Sequence, residues 1–81
     1  MKGTGCISLA SCKEGQTGKV IAVLGDKHVR ERLEVLGIRK GTVLMKKVQQ
    51  MGQGPIIAAV GNLEIAVGFD LARNVIIRVE V

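Results

Sequence analysis

Aromatic residues are nearly absent from this chain: Phe69 is the only one in 81 residues, and there is no Trp or Tyr. That scarcity counts against a single-stranded nucleic-acid binder, which stacks bases on aromatic faces. Histidine is represented by His28 alone, which excludes a metal site built on two imidazoles. The longest apolar runs, Val20 to Leu24 and Ile56 to Val60, fall far short of the roughly 20 residues a membrane-spanning helix needs. The opening MKGTGCISLASC lacks the continuous apolar core of a secretory signal. A cytoplasmic location is therefore the default expectation, and Cys6 and Cys12 read as two thiols rather than as a staple. Neither a nucleophile-elbow G-x-S-x-G nor a phosphate-binding G-x-x-x-x-G-K-[ST] is present. Ser8 and Ser11 have no His and Asp partners at a recognisable spacing. A chain of this length buries only about 60–65% of the surface it exposes when unfolded. It has room for one small aliphatic core and none for a deep cleft, so no enzyme is expected.

What the chain does have is glycine, aliphatic residues and positive charge. Its net charge is +5, from 12 Lys and Arg against 7 Asp and Glu. Seven of the cations lie between Lys27 and Lys47, opposed there only by Glu31 and Glu34. Such asymmetry suggests an anionic partner, whether nucleic acid, an acidic protein face or a lipid surface, with a merely solvated face as the plain alternative.

Eleven glycines and the single proline punctuate short apolar segments, the pattern of a small β protein. Strands are predicted over 18–25, 42–49, 55–60, from Leu63 through Val67, and 75–81, where Val75, Ile77, Val79 and Val81 alternate with polar residues. MGQGP (51–55) is a turn cluster: Gly52 and Gly54 permit positive φ and Pro55 fixes the exit. Gly61-Asn62 is a two-residue hairpin signal, since both tolerate the left-handed region. The one good helix follows the first long strand. Asp26 is its N-cap, accepting from the amide of residue 28 or 29. Val29, Leu33 and Leu36 form one apolar stripe, and Arg30 can pair with Glu34 on the outer face. Gly37 is placed to be the left-handed C′ residue, with Ile38 folding back onto Leu33, and Gly41 turns the chain into the next strand. A single helical turn is predicted over 69–74. The whole reads as one mainly β domain, 1–81, with residues 1–6 flexible. It is expected to be a partly open SH3-like barrel of five or six short strands, with an α-helix after the first long strand and a short helical turn before the last. An OB-like barrel is the alternative, although its helix normally falls later.

The order of these motifs resembles a known family. Gly25 precedes R-x-R-L-x-x-L-G-x-x-x-G-T, here Arg30, Arg32, Leu33, Leu36, Gly37, Gly41 and Thr42. Gly54, Pro55 and Ile56 follow, then Gly61-Asn62 leading to Ile65 and Ala66, then Ala72, Ile77 and Val79. The pattern is similar to that of FeoA proteins, small SH3-like components of bacterial ferrous iron uptake, over about residues 7–81. Lys40 stands where family members often carry a proline, which would only stiffen that turn, and the two-cysteine N-terminus has no match to the family. The resemblance implies a non-enzymatic cytoplasmic accessory or regulator that binds FeoB, the membrane transporter with a cytosolic GTP-binding domain, at the inner face of the membrane and without inserting into it. Two alternatives stay open. One is a stand-alone regulatory domain related to the C-terminal domain of DtxR-type iron-dependent repressors; the other is a small basic nucleic-acid-binding module. Self-association is also left open.

Within this frame, the candidate partner-binding residues are Arg30, Arg32, Arg39, Lys40, Lys46 and Lys47, with Arg supplying planar bidentate pairing and Lys a point charge. Arg30 and Arg32 are also the candidates for an arginine that assists a partner's GTP hydrolysis in trans. No cofactor is expected. Cys6, Cys12 and His28 are the only candidates for a zinc or iron ion, and the six-residue spacing of the sulfurs is unlike the tight C-x-x-C hairpin. Catalytic residues: none.

Overall fold

A computed structural model describes residues 4–80. Eight elements follow one another: β1 (Thr4–Ser8), β2 (Thr17–Val23), α1 (Lys27–Val35), β3 (Val43–Gln49), β4 (Ile56–Val60), β5 (Leu63–Val67), α2 (Phe69–Ala72) and β6 (Val75–Glu80). The six strands form one antiparallel sheet in the order β1-β6-β2-β3-β4-β5. This is the mainly β, SH3-like architecture expected from the sequence. β6 owes its central place to its alternation: Val75, Ile77 and Val79 point into the core while Arg78 is exposed.

β1 was not expected. Residues 4–6 were read as flexible, yet Thr4–Ser8 pair with β6 from Thr4↔Glu80 to Ser8↔Ile76. TGCIS carries a single large aliphatic residue, so nothing in its own pattern announces a strand. Its order comes from β6, opposite which Ile7 faces Ile77. Residues 1–3 lie outside the described residues.

Two bulges bend the sheet. In the β2–β6 ladder the register shifts between Val20 and Ala22, and in β3–β4 it shifts between Lys46 and Val48. Each inserts one extra residue and sharpens the local twist. β2 approaches β6 closely at Gly18. A Cβ on Gly18 would stand 2.8 Å from the Arg78 carbonyl oxygen, so this site is closed to any side chain.

The helix forms as its local signals dictate. The Asp26 carboxylate accepts from the Val29 amide at 3.0 Å. At the other end the amide of Gly37 donates to the Glu34 carbonyl and that of Ile38 to the Leu33 carbonyl, both at 2.9 Å. That is the double bond of a Schellman cap, and it requires the φ of +88° that Gly37 adopts. Leu33 and Ile38 are both buried in the core, beside Leu9, Val20, Leu44 and Ile56. Asp26→Ala is expected to lower stability by about 1 kcal/mol, read as a shifted urea midpoint with an unchanged slope.

Three local expectations are corrected. Arg30 does not pair with Glu34. Its guanidinium instead donates to the Gly25 carbonyl at 2.9 Å. Helical side chains lean toward the N-terminus, and a base placed N-terminal to an acid is the poorer orientation for an i,i+4 pair. At the β4–β5 hairpin only Gly61 takes a positive φ, +61°, and no non-Gly residue does. The turn is therefore of the II′ kind, in which Asn62 needs no left-handed backbone. In the 51–55 turn Gly52 has the positive φ, whereas Gly54 is required by space: a Cβ there would meet Gln50 Cβ at 2.6 Å.

Candidate functional site: a basic cleft beside the helix

Strand alternation in β3 decides the fate of one candidate. It sets Lys46 inward with Leu44, and the bulge that follows at Lys47 returns Gln49, three residues on, to the same side. Lys46 is fully buried. Its ammonium donates to the Ala10 carbonyl at 3.1 Å, the Cys12 carbonyl at 2.6 Å and Gln49 Oε1 at 2.6 Å. Glu14 closes the arrangement by accepting from the Gln49 amide at 2.8 Å. Lys46 is therefore an internal tie between the 9–12 turn and β3, and it cannot meet a partner. Burial pulls its pKa down, against the favourable pull of Cys12 and Glu14. Lys47, at the bulge, stays outside but is engaged with Glu64 at 2.7 Å.

The remaining cations divide around α1. Arg30, Arg39 and Lys40 converge on one cleft of about 330 Å³ between the helix and the end of β2, floored by Ala22, Val23 and Ile38, with Glu34 on its helical wall. Arg32 points to the other side of the helix. There it borders an open groove of about 570 Å³ with Val35, Leu36, Phe69 and Asp70. Among the described residues none of these four cations lies within ion-pair distance of a carboxylate; the only pairs are Lys27–Glu31 and Lys47–Glu64.

The cleft's outer rim is built rather than loose. After the Schellman cap, the Thr42 hydroxyl accepts from the Arg39 amide at 3.2 Å and donates to the Gly37 carbonyl at 3.3 Å. The Thr42 amide donates back to the Arg39 carbonyl at 3.0 Å. Gly41 and Thr42 then cross to β2, with Gly41 N to Val20 O and Val20 N to Thr42 O both at 2.8 Å. Arg39 and Lys40 thus sit at the tip of a loop held at both ends. Arg30 is fixed by its bond to Gly25. The residues at 30–42 that end the helix and launch β3 also place three positive charges round one apolar floor.

The metal candidates do not come together. Cys6 is exposed on β1, Cys12 is buried in the turn beneath Lys46, and His28 is exposed in the first turn of α1. Among the described residues no group of three or more His, Cys, Asp or Glu side chains has metal-holding geometry. Cys12 Sγ faces Gln16 Oε1 at 3.4 Å, and burial pushes its thiol pKa up, against a lowering pull from Lys46. Iodoacetamide is expected to modify Cys6 at the rate of an open thiol and Cys12 far more slowly, the two becoming alike in denaturant; mass mapping of a time course reads this directly. Ser8 and Ser11 bond to each other within their turn.

These features define a class: a small SH3-like domain with a cleft in which three cations surround an aliphatic floor. A family model, the FeoA domain, matches residues 7–79, and the chain belongs to that family. Among solved structures, it is similar to the crystal structure of an iron uptake regulatory protein, FeoA, with 29% identity and a TM-score of 0.83 over 93% of this chain and 97% of that one. It is also similar to a FeoA-like protein from Clostridium acetobutylicum, at 20% identity and a TM-score of 0.82 over 91% and 86% of the two chains. The same fold recurs in a manganese-dependent transcriptional repressor, at 20% identity and a TM-score of 0.83, where it accounts for 42% of that chain. Comparison with curated proteins finds no match. Among the described residues no helix is long and apolar enough to cross a membrane.

Proposed function

We propose that this chain is a non-enzymatic accessory of ferrous iron uptake that binds the cytosolic part of a FeoB-type transporter through its basic cleft, and so works at the inner face of the membrane. The convergence of Arg30, Arg39 and Lys40 on one apolar-floored cleft carries this reading. Charged rims of this kind steer an oppositely charged partner and fix its register. The family match supports iron uptake as the setting. Nucleic acid is the poorer partner: α1 has only nine residues, and its outer face mixes Glu31 and Glu34 with its cations, carboxylates that a phosphate backbone repels.

Titration calorimetry with the purified cytosolic GTP-binding domain tests the proposal. The expected result is a one-to-one complex that weakens as salt rises, as for any contact with an exposed ionic rim. No complex with the nucleotide-free, GDP or GTP form would overturn it. In the association reading, Arg32→Ala leaves the partner's rate of GTP hydrolysis unchanged.

A further inference from the structure

The cleft combines two kinds of surface that ask for different ligands. Its floor is aliphatic, made by Ala22, Val23 and Ile38. Its rim carries three cations and one carboxylate. A bare anion would engage the cations and leave the floor wet. A purely apolar segment would fill the floor and strip water from charges it could not satisfy. Only a ligand with both features meets the whole site. Resting on the accessory role above, we infer that the cleft receives a short acidic segment of the partner protein, with one aliphatic side chain seated over Ala22 and carboxylates on the Arg39–Lys40 side.

Three details shape that occupant. At about 330 Å³ the cleft lies at the small end of ligand pockets, which suits one side chain rather than a helix face. Room over the floor exists because the residue after the β2 bulge is alanine. Glu34 sets the polarity: it repels a carboxylate from the helical wall and leaves the loop wall, with Arg39 and Lys40, for the acids. An extended segment places alternate side chains on one side about 6.5–7 Å apart. An acid two positions from the aliphatic anchor therefore reaches the rim when the anchor reaches the floor. The backbone of the loop wall is held by Thr42 and the Arg30 guanidinium by the Gly25 carbonyl, so little backbone freedom is lost on binding.

The test has two arms. In the first, a capped peptide Gly-Glu-Gly-Leu-Gly-Glu-Gly is titrated into the 15N-labelled chain and followed by NMR. Two control peptides replace Leu by Ser, or both Glu by Gln. The expected result is saturable shifts at Ala22, Val23, Ile38, Arg39 and Lys40, with each control at least several-fold weaker. Equal binding by the Ser peptide, or shifts centred elsewhere, would overturn the inference.

In the second arm, the partner's cytosolic domain is titrated with Ala22→Leu, which fills the cleft while keeping every charge, and with Arg39→Glu, which lies on an exposed loop and keeps the floor. Each is expected to bind at least tenfold more weakly than the unaltered chain. If Ala22→Leu folds, by circular dichroism, and binds the partner as tightly as the unaltered chain does, the cleft inference fails while the accessory role stands. If Ala22→Leu does not fold, equal affinity of Arg39→Glu and the unaltered chain sinks the inference instead. If the unaltered chain itself fails to bind, the accessory role fails, and the peptide arm alone decides what the cleft takes.

Discussion

Lys46→Met is expected to cost about 3 kcal/mol of stability, the upper end of the penalty for stranding buried polar groups. Methionine keeps the length of the side chain and loses the ammonium. The carbonyls of Ala10 and Cys12 and the amide oxygen of Gln49, now 2.6–3.1 Å from Nζ, then lose their donor, the Cys12 carbonyl in a buried position and the other two in partly buried ones. Part of that penalty is returned, because the native fold already bears the burial of a charge. The balance still favours loss, since one donor group satisfies three acceptors. The pH dependence gives a second signature. The unfolded lysine keeps its proton to higher pH than the buried one does. Between the two values the unfolded state binds more protons, so this group's contribution to stability rises with pH. Cys12 acts in the opposite sense. Its raised pKa makes stability fall as alkali ionises the unfolded thiol first. In Lys46→Met only the second effect remains. Urea midpoints measured from neutral to alkaline pH should therefore decline more steeply for the variant than for the unaltered chain.

The second large effect is on binding. Arg39→Glu combined with Lys40→Glu should weaken the complex with the partner's GTP-binding domain about a hundredfold, ~3 kcal/mol. The double change replaces two attractive contacts by two repulsive ones at the rim, and like-charge juxtaposition across an interface costs several kcal/mol. Both residues are exposed and neither side chain anchors the loop; the amide of Arg39, which does, is retained. The fold should therefore be unaffected. Lys47→Glu is the matched control. It lies outside the cleft and already faces Glu64, so the change should disturb that surface pair and leave affinity within about twofold, in keeping with the small worth of exposed pairs.

How far each feature was legible depended on whether its cause was local. α1 was legible from end to end, because Asp26, the stripe from Val29 to Leu36 and the Gly37–Ile38 cap all act within a few residues of themselves. The β4–β5 hairpin was legible for the same reason. β1 was not, since TGCIS becomes a strand only by pairing with β6, some seventy residues later. Lys46 was misread for a related reason. Counting charge treats every lysine as solvated, whereas the alternation that buries Leu44 buries this one too, and the carbonyls that make its burial tolerable come from a turn more than thirty residues earlier. The opening of the chain and Lys46 are in fact one unit, for the ammonium holds the turn that β1 leads into. Among the cations, sequence proximity grouped six. Folding separates them into three round one cleft, one across the helix, one paired and one buried, because Arg30 and Arg32 face opposite sides of α1 and Lys46 and Lys47 opposite faces of β3.

The most direct measurement is hydrogen exchange of this chain, alone and bound to the partner's cytosolic GTP-binding domain. Protection confined to the end of β2, α1 and the loop through Thr42 is the predicted result. Protection centred instead on the opposite groove, at α2 and β5, with the Arg39–Lys40 loop exchanging as fast as in the free chain, would contradict the account.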